Sequence, residues 1–171
     1  MHRRNIISLF AAATVALVMS PTGAVSQQGS LKQQLVGAWT LVSIIATDKA
    51  GNKSDRRGPN PKGLLIFDAS GRYSILTSRA DLPNFAIDNV NQGTAEENKA
   101  VMTGMIANVG TWSVDEKTKT ITTNVEAGSF PNLNGKTQTR VISSLTADEL
   151  RYVNGASVSG TVDEATWRRA K

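Results

Sequence analysis

Leu35-Val36-Gly37-Ala38-Trp39-Thr40-Leu41-Val42-Ser43-Ile44-Ile45 is the stretch whose reading decides the fold of this chain. It is the first long run after the N-terminal segment that is rich in β-branched and bulky apolar residues, so a strand is expected from about Ala38 to Ala46. Just ahead of it, Leu31-Lys32-Gln33-Gln34-Leu35 fits one turn of helix. Gly37 lets the backbone bend sharply where that turn becomes strand. Trp39 is the first large side chain after the bend, placed to plug the bottom of a sheet that closes on itself.

Toward the N-terminus the pattern changes. His2-Arg3-Arg4 supplies positive charge, and Ile6 to Met19 is apolar apart from Ser8 and Thr14. Pro21 and Gly23 then break any helix, and Ala24-Val25-Ser26 is a small-x-small cleavage signal. That order is the order of a secretory signal peptide, expected over residues 1–26 with cleavage after Ser26 and Ala24 as the alternative. The apolar run is short for a bilayer span. The expected location is therefore periplasmic or secreted, with no membrane span left once the leader is removed.

Composition narrows the function. Without Arg3 and Arg4 the formal charge falls from +5 to +3, and no dense basic run interleaves with aromatics, which argues against nucleic acid as a partner. The groups Arg56-Arg57 and Arg168-Arg169 read as solvated or structural. The chain has no cysteine, so an exported fold must rely on packing and sheet closure rather than disulfides. Its one histidine is His2, in the leader. A mature chain lacking both His and Cys excludes ordinary zinc sites and Ser-His-Asp or Cys-His catalysis, and no cofactor or metal is expected.

Onward from the opening strand, Asp48 to Pro61 is rich in Gly, Asn, Lys, Arg and Pro and reads as a long exposed loop. Gly63–Phe67 and Arg72–Thr77 form the clearest hairpin, joined by the turn residues Asp68-Ala69-Ser70-Gly71. Arg79 to Gly93 dissolves into loop. Thr94-Ala95-Glu96-Glu97 resembles a capping box, and the helix it opens is expected to end near Asn108 and Gly110. Strands follow at about 110–115, 120–126, 137–144, 150–153 and 161–169. The expected fold is all-β: an eight-stranded antiparallel up-and-down barrel with one α-helix between strands 3 and 4, filling residues 27–171 as one domain. Closure is the economical way to remove the two edges of such a meander.

The motifs then converge on a family. Gly37-Ala38-Trp39 after a helical turn, Pro59 to Phe67, Gly71-Arg72-Tyr73-Ser74, Thr94 to Ala100, Gly110-Thr111-Trp112-Ser113-Val114-Asp115 and Val125 to Asn132 together resemble the bacterial lipocalin-like domain family. The resemblance spans nearly all of the mature chain and implies a lipocalin-type barrel. It implies little about activity. The chain departs from the family pattern at Thr123-Asn124, where a basic or histidine residue is common, and at Leu133, where an aromatic often stands.

Candidate site residues follow from strand alternation. Thr120, Thr122, Asn124 and Glu126 share one face of their strand; Ile121, Thr123 and Val125 share the other, and either face can be the inward one. An inward Glu126 needs a partner, which Arg140 or Arg79 can supply. Tyr73 and Trp112 complete the expected ligand-binding set of Tyr73, Arg79, Trp112, Asn124, Glu126 and Arg140. Gly37, Trp39 and Arg168 are expected to be structural, with Arg168 or Arg169 over the Trp39 ring in a cation–π contact. The segment from Arg79 and Asp81 reads either as a lid over the barrel mouth or as a connector.

The function expected is binding of a small, mainly apolar molecule by an exported protein. The alternatives are a cofactor-free isomerase or cyclase using Glu126 with Tyr73, and an interaction or inhibitor module built on the Asp48–Pro61 loop. Nothing in the sequence sets the oligomeric state.

Overall fold

Ser30 caps the first helix of the fold. A computed structural model describes residues 29–171, so the leader expected over 1–26 lies outside the described residues. The helix, α1 (Leu31–Leu35), is five residues long and opens in a reciprocal box: the Ser30 hydroxyl accepts from the Gln33 amide, and Gln33 Oε1 accepts from the Ser30 amide at 2.9 Å. Val36 then leads into β1 (Gly37–Thr47), and Gly37 makes the bend at φ +127°, a region open to glycine.

The strands that follow are β2 (Lys53–Asp55), β3 (Lys62–Phe67), β4 (Arg72–Ser78), β5 (Met105–Asp115), β6 (Thr120–Gly128), β7 (Thr137–Leu145), β8 (Glu149–Asn154) and β9 (Val162–Arg169), with helix α2 (Ala95–Gly104) before β5. From β3 to β9 each strand pairs antiparallel with the next. β1 pairs with β3 on one side and with β9 on the other, from Trp39↔Arg169 to Thr47↔Val162. Eight strands thus close into a ring with no free edge. The ninth, β2, pairs only with Ile45–Thr47 at the end of β1.

Three sequence expectations are corrected here. The helix does not lie between strands 3 and 4; it follows β4, because the unforeseen β2 precedes it in the chain. The Gly/Asn/Lys/Arg/Pro-rich 48–61 segment hid β2, whose three residues are held by the far end of β1 and carry no apolar alternation. The helix also ends at Gly104, not near Gly110. A Cβ on Gly104 would meet Leu82 Cδ2 at 2.4 Å, and Met105 already pairs with Ser78, so the demand for a strand beside β4 overrides helical continuation. The start of α2 is as expected, with Thr94 and Glu97 forming the capping box.

Alternation sets the wall. Leu65 and Phe67, Tyr73 and Ile75, Ile121 and Val125, Leu150 and Tyr152, and Ala165 and Trp167 all point inward and are buried. One end of the ring is plugged by Leu35, Trp39, Phe67, Trp112 and Trp167, with the Phe67 and Trp112 ring centroids 4.5 Å apart. Turns 68–71, 116–119 and 146–148 run round this end. Among the described residues no helix is long and apolar enough to cross a membrane.

Candidate functional site

The opposite end of the barrel is built differently. Here the inward positions of β4, β5, β6, β7 and β9 are Thr77, Asn108, Thr123, Arg140 and Asp163, all buried polar residues. Thr77, Asn108, Arg140 and Asp163 line a cavity of about 90 Å³ whose apolar walls are Ile44, Ile75, Ile106, Leu133 and Ala165, with Tyr152 beside them, and Thr123 lies behind it. An adjoining groove of about 220 Å³ shares Arg56, Arg57, Ile106 and Val158 with it and is otherwise lined by Met102, Thr103, Met105, Phe130 and Ser159. The groove therefore runs between α2, the start of β5 and the loops at this rim.

Two arginines just after β2 reach over the opening. Arg56 Nη2 donates to Asp163 Oδ1 at 2.7 Å and to Ser157 Oγ at 3.0 Å, and its guanidinium also contacts Ser159 and Thr161. These bonds clasp the β8–β9 connection to the segment after β2. Arg57 turns inward and is only 5% exposed. Its Nε donates to Thr77 Oγ1 at 3.2 Å and its Nη1 to the Thr103 carbonyl at 3.2 Å. Burial holds the Arg57 guanidinium below its ordinary pKa; the charge of Arg56 adds to this and that of Asp163 opposes it.

Arg140 enters from β7, where Nη1 donates to Thr123 Oγ1 at 2.7 Å and Nη2 to Gln138 Oε1 at 3.0 Å. Its guanidinium carbon lies 5.7 Å from the Tyr152 ring centroid. Burial pushes the Tyr152 phenol up, against the pull of the Arg140 charge. Asp163 is the only carboxylate among the lining residues, and its Oδ1 accepts from both Arg56 and Thr161 Oγ1, the latter at 2.6 Å. The arrangement offers donors and a hydrophobic wall, while its one carboxylate is already engaged.

Of the six residues expected to bind ligand, Arg140 lines the cavity. Tyr73 points inward one layer deeper, where its hydroxyl donates to Asn108 Oδ1 at 2.6 Å; burial raises its pKa. The other four are placed elsewhere. Asn124 and Glu126 lie on the outer face of β6, because Ile121, Thr123 and Val125 take the inner one. Glu126 forms a two-pronged pair with Arg72 on the neighbouring outer surface, at 2.6 and 2.8 Å, and that pairing lowers its pKa. Glu126 and Tyr73 therefore sit on opposite sides of the wall and do not form an acid–base pair. Arg79 is exposed and bridges Asp81 at 2.7 Å. Trp112 belongs to the plugged end, its Nε1 donating to the Asp68 carbonyl at 2.9 Å. The cation over Trp39 is Arg169, at 4.0 Å from the ring centroid, and Arg168 is exposed.

Sequence reasoning missed Arg57 and Asp163. Arg57 was hidden in a segment whose composition reads as surface. Asp163 had a signal: it alternates with Ala165 and Trp167, which places an acid on the inward face of β9. The segment 79–93 contributes nothing to the cavity or the groove; α2 and the loops around Arg56, Phe130 and Val158 form the rim.

A closed eight-stranded barrel has room inside for side chains or for one small ligand, and this one is plugged at one end by aromatics and keeps a cavity at the other. The chain belongs to the lipocalin-like domain family, whose model matches residues 36–170. No curated protein matches it in sequence. Similar solved structures include a redesigned β barrel, b11L5F_LGL, and a fluorescence-activating β barrel designed de novo. Each is 12% identical, with a TM-score of 0.43 over 84% of this chain and 100% of the other. A third is the redesigned barrel mFAP1 bound to DFHBI, 16% identical, with a TM-score of 0.41 over 82% of this chain and 100% of that one.

Proposed function

We propose that this chain is an exported binding protein for a small molecule with a sizeable apolar part, held at the open end of the barrel. The observation that carries this is the cavity of about 90 Å³ within the strands, continuous in its lining with the groove under α2. Ile44, Ile75, Ile106 and Ala165 give the ligand an apolar wall, and a few buried polar groups fix its orientation, the usual division of labour in such sites.

Titration with 1-octanol, followed by amide chemical shifts, tests this. Shifts are expected at Ile75, Ile106, Tyr152 and Ala165 and not at Trp39 or Trp112. Ala165→Phe fills the space and is expected to weaken binding by at least about tenfold, since it replaces ligand contacts with its own ring. Saturable binding that Ala165→Phe leaves intact, or shifts confined to the outer surface, would remove the basis for this site.

Export rests on the charge, apolar run and small-x-small ending of residues 1–26. N-terminal sequencing of the protein recovered outside the cytoplasm is expected to begin at Gln27. Recovery of the intact chain from the cytoplasm alone would refute export.

A further inference from the structure

Charge around the cavity does not balance. Arg56, Arg57 and Arg140 line it against one carboxylate, Asp163, which bridges Arg56. Among the described residues neither Arg57 nor Arg140 takes part in a salt bridge. Yet they are among the most buried charges described, 5% and 6% exposed. Their partners Thr77, the Thr103 carbonyl, Thr123 and Gln138 are neutral. Hydrogen bonds of this kind satisfy donors without cancelling charge, and a guanidinium does not readily shed its proton. Leaving a charge buried without a counter-charge is unfavourable, so a fold that does so twice in one cavity has a use for it.

Arg57 Nη2 forms no hydrogen bond among the described residues, although the other two nitrogens of its fork are engaged. Each fork is thus held in place by neutral partners, and both side chains line the cavity. The adjoining groove adds Met102, Met105, Phe130 and Val158 beside Arg56, Arg57, Thr103 and Ser159, so apolar surface lies next to the same guanidinium that lines the cavity.

We infer that the ligand is an amphiphilic anion, its carboxylate-sized head held in the cavity by Arg57 and Arg140 and its apolar part lying in the groove toward the rim. This rests on the binding site proposed above and specifies which end of the ligand enters first. Charge-assisted bonds to a guanidinium fork are stronger and more directional than neutral ones, which gives the head group its preference.

The test compares octanoate with 1-octanol, equal in chain length, by calorimetric titration at fixed ionic strength. Octanoate is expected to bind at least about tenfold more tightly than 1-octanol. Arg57→Gln and Arg140→Gln are each expected to weaken octanoate by about tenfold, at least about threefold more than they weaken 1-octanol. Arg57→Lys and Arg140→Lys, which keep the charge, are expected to recover part of the octanoate affinity and also serve if a glutamine variant does not fold. If 1-octanol binds as tightly as octanoate, or the glutamine variants weaken both equally, the anionic head is wrong while the binding site stands. If neither probe binds, the site itself is wrong and this inference falls with it.

Discussion

Replacing Trp39 by alanine is expected to lower the unfolding free energy by about 3–5 kcal/mol, the range for removing a large aromatic from a packed core. Trp39 is wholly buried at the plugged end. Its Nε1 donates to the Leu35 carbonyl at 2.9 Å, which fixes the end of α1 against the barrel floor. Above the ring sits Arg169, and the same guanidinium donates to the carbonyls of Gln34 at 2.6 Å, Val36 at 3.1 Å and Ala147 at 2.6 Å. One side chain from β9 therefore ties together the α1–β1 junction and the β7–β8 turn, and Trp39 is the platform that positions it. Arg169→Ala is expected to cost about 2 kcal/mol through lost cation–π and charge-assisted bonds. The double variant should cost less than the sum, because each residue supports the other. Arg168→Ala, at an exposed position, is expected to stay within about 0.5 kcal/mol of the parent. Urea unfolding followed by far-ultraviolet circular dichroism measures all four. A loss under about 1 kcal/mol for Trp39→Ala, or a larger effect at Arg168 than at Arg169, would contradict this account of the floor; the first limit is about a third of the lowest value expected.

The contrast between the two barrel ends explains what could be read from residues alone. The floor was legible because its signals are local: a capped turn, a glycine at the bend and a tryptophan two residues later. The β3–β4 hairpin was legible for the same reason, since Asp68 Oδ1 accepts from the Ser70 amide within the turn itself. The start of α2 was written in Thr94 and Glu97, but its end was decided by a neighbour, β4, far away in sequence. The inward face of β6 was not legible either. Thr, Asn and Glu against Ile, Thr and Val describes two faces without saying which meets the core, and the choice depends on the register with β5 and β7. The site was hardest of all. Arg57 is buried only because the segment after β2 crosses the rim, and composition marks such a segment as exposed. Candidate site residues chosen for chemical type, such as Glu126 and Trp112, fell on the outer surface and the floor, where an ion pair and a core contact are what their types provide.

Gly110→Ala is expected to destabilise the protein by about 2–4 kcal/mol and to disturb the cavity as well, although residue 110 does not touch it. Between Val109 and Gly110 the register of β5 on β6 shifts: Val109 faces Ala127 and Gly110 faces Val125, leaving Glu126 as the extra residue of a bulge. A Cβ at residue 110 would lie 1.9 Å from the Asn124 carbonyl oxygen, 3.0 Å from its carbon and 3.1 Å from the Glu126 nitrogen. All three are backbone atoms, so no rotamer change can relieve the contact; the strands must separate where the bulge turns β6. The consequence travels upward. Gly128, beyond the bulge, packs close to Asn108, since a Cβ there would meet Asn108 Cβ at 2.8 Å. Asn108 lines the cavity and accepts the Tyr73 hydroxyl. Separation at Gly110 should therefore loosen the Asn108 side of the cavity and weaken 1-octanol binding by several-fold, by about 1 kcal/mol. Gly155→Ala provides the comparison, because nothing lies within 4 Å of its added methyl and its φ is not positive. That variant is expected to stay within about 0.5 kcal/mol of the parent. Amide hydrogen exchange adds the location: protection should fall first at residues 107–111 and 123–128. Uniform loss over the whole ring, or no loss in Gly110→Ala, would show that the bulge does not hold the two strands in the way their contacts imply.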